Sequence, residues 1–187
     1  MNVTRDQDQD QDQGMVAVVQ HAAHENFRLI EDHDLDAVAA NVTGDFVNRR
    51  SADEPMAART PGPEGMAATV AWLNRAFADI RFEIHETIVS GGRAAVRVTM
   101  HATQHGPFVV HDSPDGAVTA VFPSRGRTAA VDQTHWFTVA DGKIAEHDAV
   151  RDDLGMAQQL GWVPPTPAYL IAMKRAAMAE RRAQRRS

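Results

Sequence analysis

The 187-residue chain has no cysteine. That excludes a disulfide framework, a thiolate metal centre and a cysteine nucleophile. Nowhere do eighteen apolar residues run together, and the N-terminus has no apolar stretch. The expectation is a cytoplasmic protein with no signal peptide and no membrane span. There is no Gly-rich phosphate loop, because Gly91-Gly92 lies between two strand-like runs and not before a helix. A Gly-x-Ser-x-Gly nucleophile turn is also missing. His21 and His24 are not joined in a zinc-protease pattern. His101 and His105 would share a strand face only if the strand ran past Thr103, which Gly106-Pro107 opposes. No metal and no cofactor are expected.

Charge is unevenly spread. Residues 15–169 hold 12 basic against 20 acidic side chains, while the segment after Tyr169 carries six basic residues against Glu180. A body this acidic repels phosphate backbones, so no nucleic-acid partner is expected.

The Gln/Asp repeat of residues 3–14 has no apolar side chain after Val3 and is expected to be disordered as far as residue 14. From Val16 to Val42 apolar residues recur at helical spacing, with a break near Asp32–Asp34. Met66, Val70, Leu73 and Phe77 form a second helical stripe behind the Thr60–Gly65 turn. The period then changes to two. Residues 81–90 and 93–103 read as a hairpin about Gly91-Gly92, with Phe82, Ile84, Glu86 and Ile88 on one face. A short strand is expected at Val118–Phe122, and residues 128–139 and 143–150 make a last hairpin about Asp141-Gly142. Short helices follow at Leu154–Leu160 and from Pro167. This order predicts an α+β domain over residues 15–163, with helices packed on one face of a curved sheet, followed by a basic C-terminal helix in residues 164–187.

Chemistry concentrates in the last hairpin. Alternation puts Gln133, His135, Phe137 and Val139 on one face, and Thr134, Trp136 and Thr138 on the other. A two-residue turn sets His135 opposite Asp148. A three-residue turn sets His135 opposite His147 and Gln133 opposite Ala149.

The run QTHWFTVADGKIAEHDAVRDDLGMAQQLG resembles the closing signature of the SnoaL-like polyketide cyclases, in the nuclear-transport-factor-two-like superfamily. The upstream DFVNRR, TPGPEGM and RAAVRVTMHATQHGPF keep that family's order. The resemblance covers about residues 20–163. It implies a cone-shaped α+β barrel, its curved antiparallel or mixed sheet closed by helices on the concave side around an apolar pocket. It also implies cofactor-free ring closure or related acid–base chemistry on polyketide-like compounds. Gln133 and His135 match the family's pocket Gln-x-His, and Asn48 or Arg49 falls where members place a polar pocket residue. The family's general-base carboxylate aligns with Ala149, with Asp148 one position early.

Three functions are open on this sequence: a cyclase or isomerase, an epoxide-opening enzyme using Asp148, and a non-catalytic binding protein. In the first, His135 is base or acid, His147 or Asp148 is its partner, and Gln133 holds a developing enolate oxygen. Trp72 and Phe137 are expected to wall the pocket, whose ligand is a small hydrophobic or aromatic molecule. If Trp136 projects from the outer sheet face, it marks a homodimer contact, as the resembling family commonly forms.

Overall fold

The computed structural model describes the backbone of residues 3–186 and the side chains of residues 13–186. The elements run α1 (Val3–Asp32), α2 (Val38–Asn41), β1 (Val42–Asn48), two 3-10 turns (Ser51–Asp53 and Met56–Arg59), α3 (Pro63–Ala76), β2 (Phe77–Ser90), β3 (Arg93–Gln104), β4 (Phe108–Val110), β5 (Ala120–Phe122), β6 (Thr128–Ala140), β7 (Lys143–Arg151), α4 (Asp153–Gln159) and α5 (Pro167–Gln184). Five strands form one sheet in the order β1-β7-β6-β3-β2, antiparallel except where β1 joins β7 in parallel. This is the α+β architecture the sequence predicts, a curved mixed sheet with helices on its concave face.

The helices are held there by their apolar stripes. Val19, Ala22, Ala23, Phe27 and Ile30 recur at helical spacing along α1, and Met66, Val70 and Ala76 along α3; all are buried. They meet the inward residues of β3 (Ala94, Val96, Val98, Met100, Ala102) and of β6 (Val131, Phe137) in one core. Helix α5 is tied back by Tyr169 Oη, which donates to the Pro123 carbonyl at 2.9 Å, and by Arg181 Nε, which donates to the Val118 carbonyl at 2.9 Å.

Several boundaries differ from the sequence expectation. The backbone of the Gln/Asp repeat continues α1 back to Val3, where disorder was expected. Extending an anchored helix adds one hydrogen bond per residue fixed and avoids the costly nucleus, and the repeat has no proline or glycine before Gly14. The first helix ends at Asp32, because His33 takes a left-handed φ of 54°. The segment that follows therefore reaches the sheet as β1, a strand whose seven residues show no clean alternation.

Bulges matter more. In β2, Ile84 pairs with Val98 but Glu86 pairs with Arg97, so His85 is an extra residue. Its insertion flips the faces, which sends Ile88 to the outside, away from the face it was expected to share with Phe82. The last hairpin behaves likewise. Its turn has two residues, Asp141 and Gly142, at φ values of 51° and 75°, which matches the right-handed twist of the flanking strands. Ala140 pairs with Lys143 and Val139 with Ile144, but Thr138 pairs with Glu146, leaving Ala145 extra. His135 therefore lies opposite Ala149, a register neither turn length alone predicts.

Candidate active site

The shifted register decides which side chains of β7 look inward. Phe137 pairs with His147, His135 with Ala149 and Gln133 with Arg151, while Trp136 pairs with Asp148 on the outer face. Strand β1 adds Asn48 beside His147. Together with α1, α3 and α4 these residues enclose a cavity of about 730 Å³ including its mouth. Its apolar lining includes Ile30, Met66, Leu73, Phe82, Met100 and Phe108, and its polar groups converge from Gln133, His135, His147, Asn48 and Glu54.

The polar groups form one connected run. Gln133 Oε1 is 2.8 Å from His135 Nε2, and His135 Nδ1 is 2.9 Å from His147 Nε2. His147 Nδ1 is 3.1 Å from Asn48 Oδ1, and Asn48 Nδ2 donates to Glu54 Oε1 at 3.3 Å. The Thr69 hydroxyl donates to Glu54 Oε2 at 2.5 Å. The backbone N–H of Arg50 donates to Asn48 Oδ1 at 3.0 Å, and this fixes which end of the Asn48 amide is oxygen. His147 must then carry its hydrogen on Nδ1, so a neutral His147 accepts at Nε2 from Nδ1–H of His135. A neutral His135 is left with a lone pair on Nε2, facing Gln133. The run as a whole ends in two carbonyl oxygens, so its three contacts take three hydrogens. That is one more than two neutral imidazoles carry. One added proton completes it; so does turning over the Gln133 amide, with both rings neutral.

Burial sets the charge states. His135, packed edge-on against Phe27 at 5.0 Å, is held well below the ordinary histidine value by desolvation, then by His147 and Arg151. Desolvation likewise pushes His147 down to about 4. Glu54, 2% exposed, is pushed up to about 7 by burial, against the opposing hydrogen bond from Thr69. At the mouth, Arg50 and Arg151 each pair with both Asp53 and Asp153 at 2.9–3.2 Å, a charge-balanced ring joining the ends of β1 and β7 to the start of α4.

A family model described as SnoaL-like polyketide cyclase matches residues 13–160. The chain belongs to the SnoaL-like polyketide cyclase family. It is 32% identical over 107 residues to aklanonic acid methyl ester cyclase DnrD of Streptomyces peucetius, a match covering 57% of this chain and 66% of DnrD. It is 33% identical over 106 residues to aklanonic acid methyl ester cyclase DauD of Streptomyces sp. strain C5, covering 57% of this chain and 60% of DauD. The chain thus spans a little under two thirds of these relatives. Among solved structures, TsrD from Streptomyces laurentii superposes with a TM-score of 0.62 at 24% identity, covering 78% of this chain and 96% of that one, which shows the shared fold.

Within this SnoaL-like frame, the structure gathers Gln133, His135, His147 and Asn48 at the cavity and separates the other expected residues from it. Asp148 is exposed on the outer face opposite Trp136, because Ala145 shifts the register. Arg49, in the turn just past the end of β1, points to solvent and pairs with Glu146 at 3.1 Å. Trp72 is buried behind the wall, its Nε1 donating to the Val109 carbonyl at 2.8 Å and its ring 4.8 Å from that of Phe108. Phe137 lies beneath the imidazoles, 5.2 Å from His147 and 5.8 Å from Phe27, and does not line the cavity.

Several polar lining residues escaped the sequence expectation, Arg50, Thr69, Arg151 and Asp153 as well as Glu54 and Asn26. Glu54 sits in an irregular polar segment between 3-10 turns, where no period signals burial. Asn26 lies on the buried stripe of α1, and the side chain's 3% exposure leaves Oδ1 with no partner among the described residues. A polar residue inside an apolar helical stripe was the available signal. Among the described residues no group of three or more His, Cys, Asp or Glu side chains is placed to hold a metal ion, and no helix is long and apolar enough to cross a membrane.

Proposed function

We propose that this protein is a cofactor-free cyclase, closing a ring in a polyketide-like ester by acid–base chemistry. The observation that carries this reading is the His135–His147 pair, lining a largely apolar cavity and closed at its ends by Gln133 and Asn48. Apolar walls take a flat hydrophobic body, and the few converging polar groups fix its orientation. Gln133, its amide turned so that one N–H is donated to Nε2 of the neutral His135, offers its other N–H to the oxygen on which enolate charge develops, in a dry site where each hydrogen bond is worth more than in water. His147 and Asn48 set the tautomer of His135 from behind. The names of DnrD and DauD suggest aklanonic acid methyl ester as the first substrate to try. The epoxide-opening alternative relied on Asp148, which faces the outside.

The same reading includes a cytoplasmic enzyme acting as a homodimer through the outer sheet face. Ile88, Ala95, Trp136 and Asp148 form one row across four strands there, with Ile88 58% and Trp136 45% exposed. An exposed aromatic among apolar neighbours suits a two-fold contact.

The test is incubation of the purified protein with aklanonic acid methyl ester, followed by liquid chromatography and mass spectrometry. A ring closed by carbon–carbon addition gives a product of unchanged mass and altered retention. Wild type should form it, and His135→Ala should lose about 10²-fold or more in rate. No ring-closed isomer from wild type would overturn the cyclase reading.

A further inference from the structure

We propose that Glu54 is the general base of this site, standing in for the carboxylate that the last strand does not present to the cavity. This rests on the cyclase reading above. On β7 the inward positions are His147, Ala149 and Arg151, so that strand offers the cavity no carboxylate. Glu54 arrives from a different element, the turn between β1 and α3, and lines the same cavity as His135 and Gln133.

Its placement is built and not incidental. Asn48 of β1 and Thr69 of α3 each donate to a different carboxylate oxygen, and Arg59 Nε donates to the Glu54 backbone carbonyl at 3.3 Å. Each carboxylate oxygen keeps a further lone pair for a proton. The charged groups around it are accounted for. Asp53 on the same turn is engaged by Arg50 and Arg151, Arg151 reaches in from β7, Asp153 of α4 closes the ring with both arginines, and His147 lies beyond Asn48. Among the described residues no cation pairs directly with Glu54, so burial dominates and its carboxyl titrates near neutrality. A base is most effective there. The buried imidazoles are pushed the opposite way and stay neutral. Such divergence separates the proton acceptor from the imidazoles that orient Gln133 toward the oxygen.

The step balances within the site. The Glu54 carboxylate takes the proton of an acidic carbon-bound hydrogen, and the C–H electron pair moves into the enolate. The enolate carbon attacks an internal carbonyl, forming the C–C bond while the C=O π pair moves onto oxygen. The carboxyl group of Glu54 then returns its proton to that alkoxide, which regenerates the carboxylate.

The experiment compares wild type with Glu54→Gln, which keeps the side chain's size and the Asn48 hydrogen bond, while the Thr69 hydroxyl turns to accept from the new amide N–H; circular dichroism verifies that it is folded. Two readouts are taken on the ester used above: ring closure, and exchange of its acidic carbon-bound hydrogens for deuterium in D2O. In wild type both rates should rise with pH through about 7. In the variant both should fall about 10²-fold or more with KM little changed, and the limb near 7 should vanish. A folded variant within a few-fold of wild type, or one that keeps the limb, would refute the assignment. Exchange that depends on Glu54 without ring closure would leave the base in place and sink the cyclase reading. The absence of both reactions in wild type would sink both.

Discussion

Glu54 also makes a prediction about stability that needs no substrate. The buried carboxyl titrates at about 7, against 4.5 for an ordinary one. Its folded-state value is raised, so between these pH values the folded chain binds more protons than the unfolded chain. Stability from this group is therefore complete below about 4.5 and is lost as the pH climbs through 7. The interval corresponds to about 3 kcal/mol, a large share of the roughly 5–15 kcal/mol that holds a domain together. His147 works in the other sense. Its value is depressed to about 4, so it costs stability as the pH falls from 6.5 toward 4. The two effects oppose each other across the acid range in the wild-type protein, and Glu54→Gln removes only one of them. Urea unfolding of both proteins at pH 5, 6, 7 and 8, at one fixed protein concentration, isolates the difference. The variant should gain on wild type by about 3 kcal/mol between the acid limit and pH 8, with most of the gain between pH 5 and 8. A gap constant to within about 0.5 kcal/mol over that range would show that Glu54 titrates like a solvated carboxylate, and the reasoning from burial would fail.

Asp148→Asn should leave ring closure within about twofold of wild type, because the side chain faces outward; a loss of about 10²-fold would place it in the reaction. Trp136→Glu should stay folded and run as a monomer in light scattering, and a persistent dimer would rule out the sheet face as the contact. Phe27→Ala should lower unfolding free energy by about 3–5 kcal/mol, because the residue is 1% exposed and touches Phe82, His135 and Phe137; a loss under about 1 kcal/mol would mean the core behind His135 is not packed as described.

The sequence carried the fold well where structure follows from period and turn chemistry. The α1 and α3 stripes, the Gly91-Gly92 and Asp141-Gly142 hairpins and the inward set Gln133, His135 and Phe137 are local patterns that the sheet preserves. It failed where one extra residue changes the outcome. A bulge at His85 or Ala145 has no signature of its own, since neither residue is a glycine or proline, yet each reverses every face beyond it. Ile88 and Asp148 were misplaced for that one reason. Arg49 was paired with Asn48 as an alternative because the seven residues of β1 do not alternate cleanly. Glu54 was invisible because its burial comes from long-range packing of an irregular segment under α3.

Strand β7 carries two chemically different walls written in alternate letters. One reads His147, Ala149, Arg151; the other reads Glu146, Asp148, Val150. Ala145 acts as the frame marker that chooses between them, since its looped-out residue is what brings Ile144 and His147 to the same side. Removing Ala145 outright keeps the frame, because the remaining strand alternates from Ile144 straight to His147. Adding one residue between Ala145 and His147, or pulling the loop straight without shortening it, exchanges an imidazole wall for a carboxylate one. A length change far smaller than any domain rearrangement, and made outside the cavity, can thus convert this scaffold from one kind of proton chemistry to another.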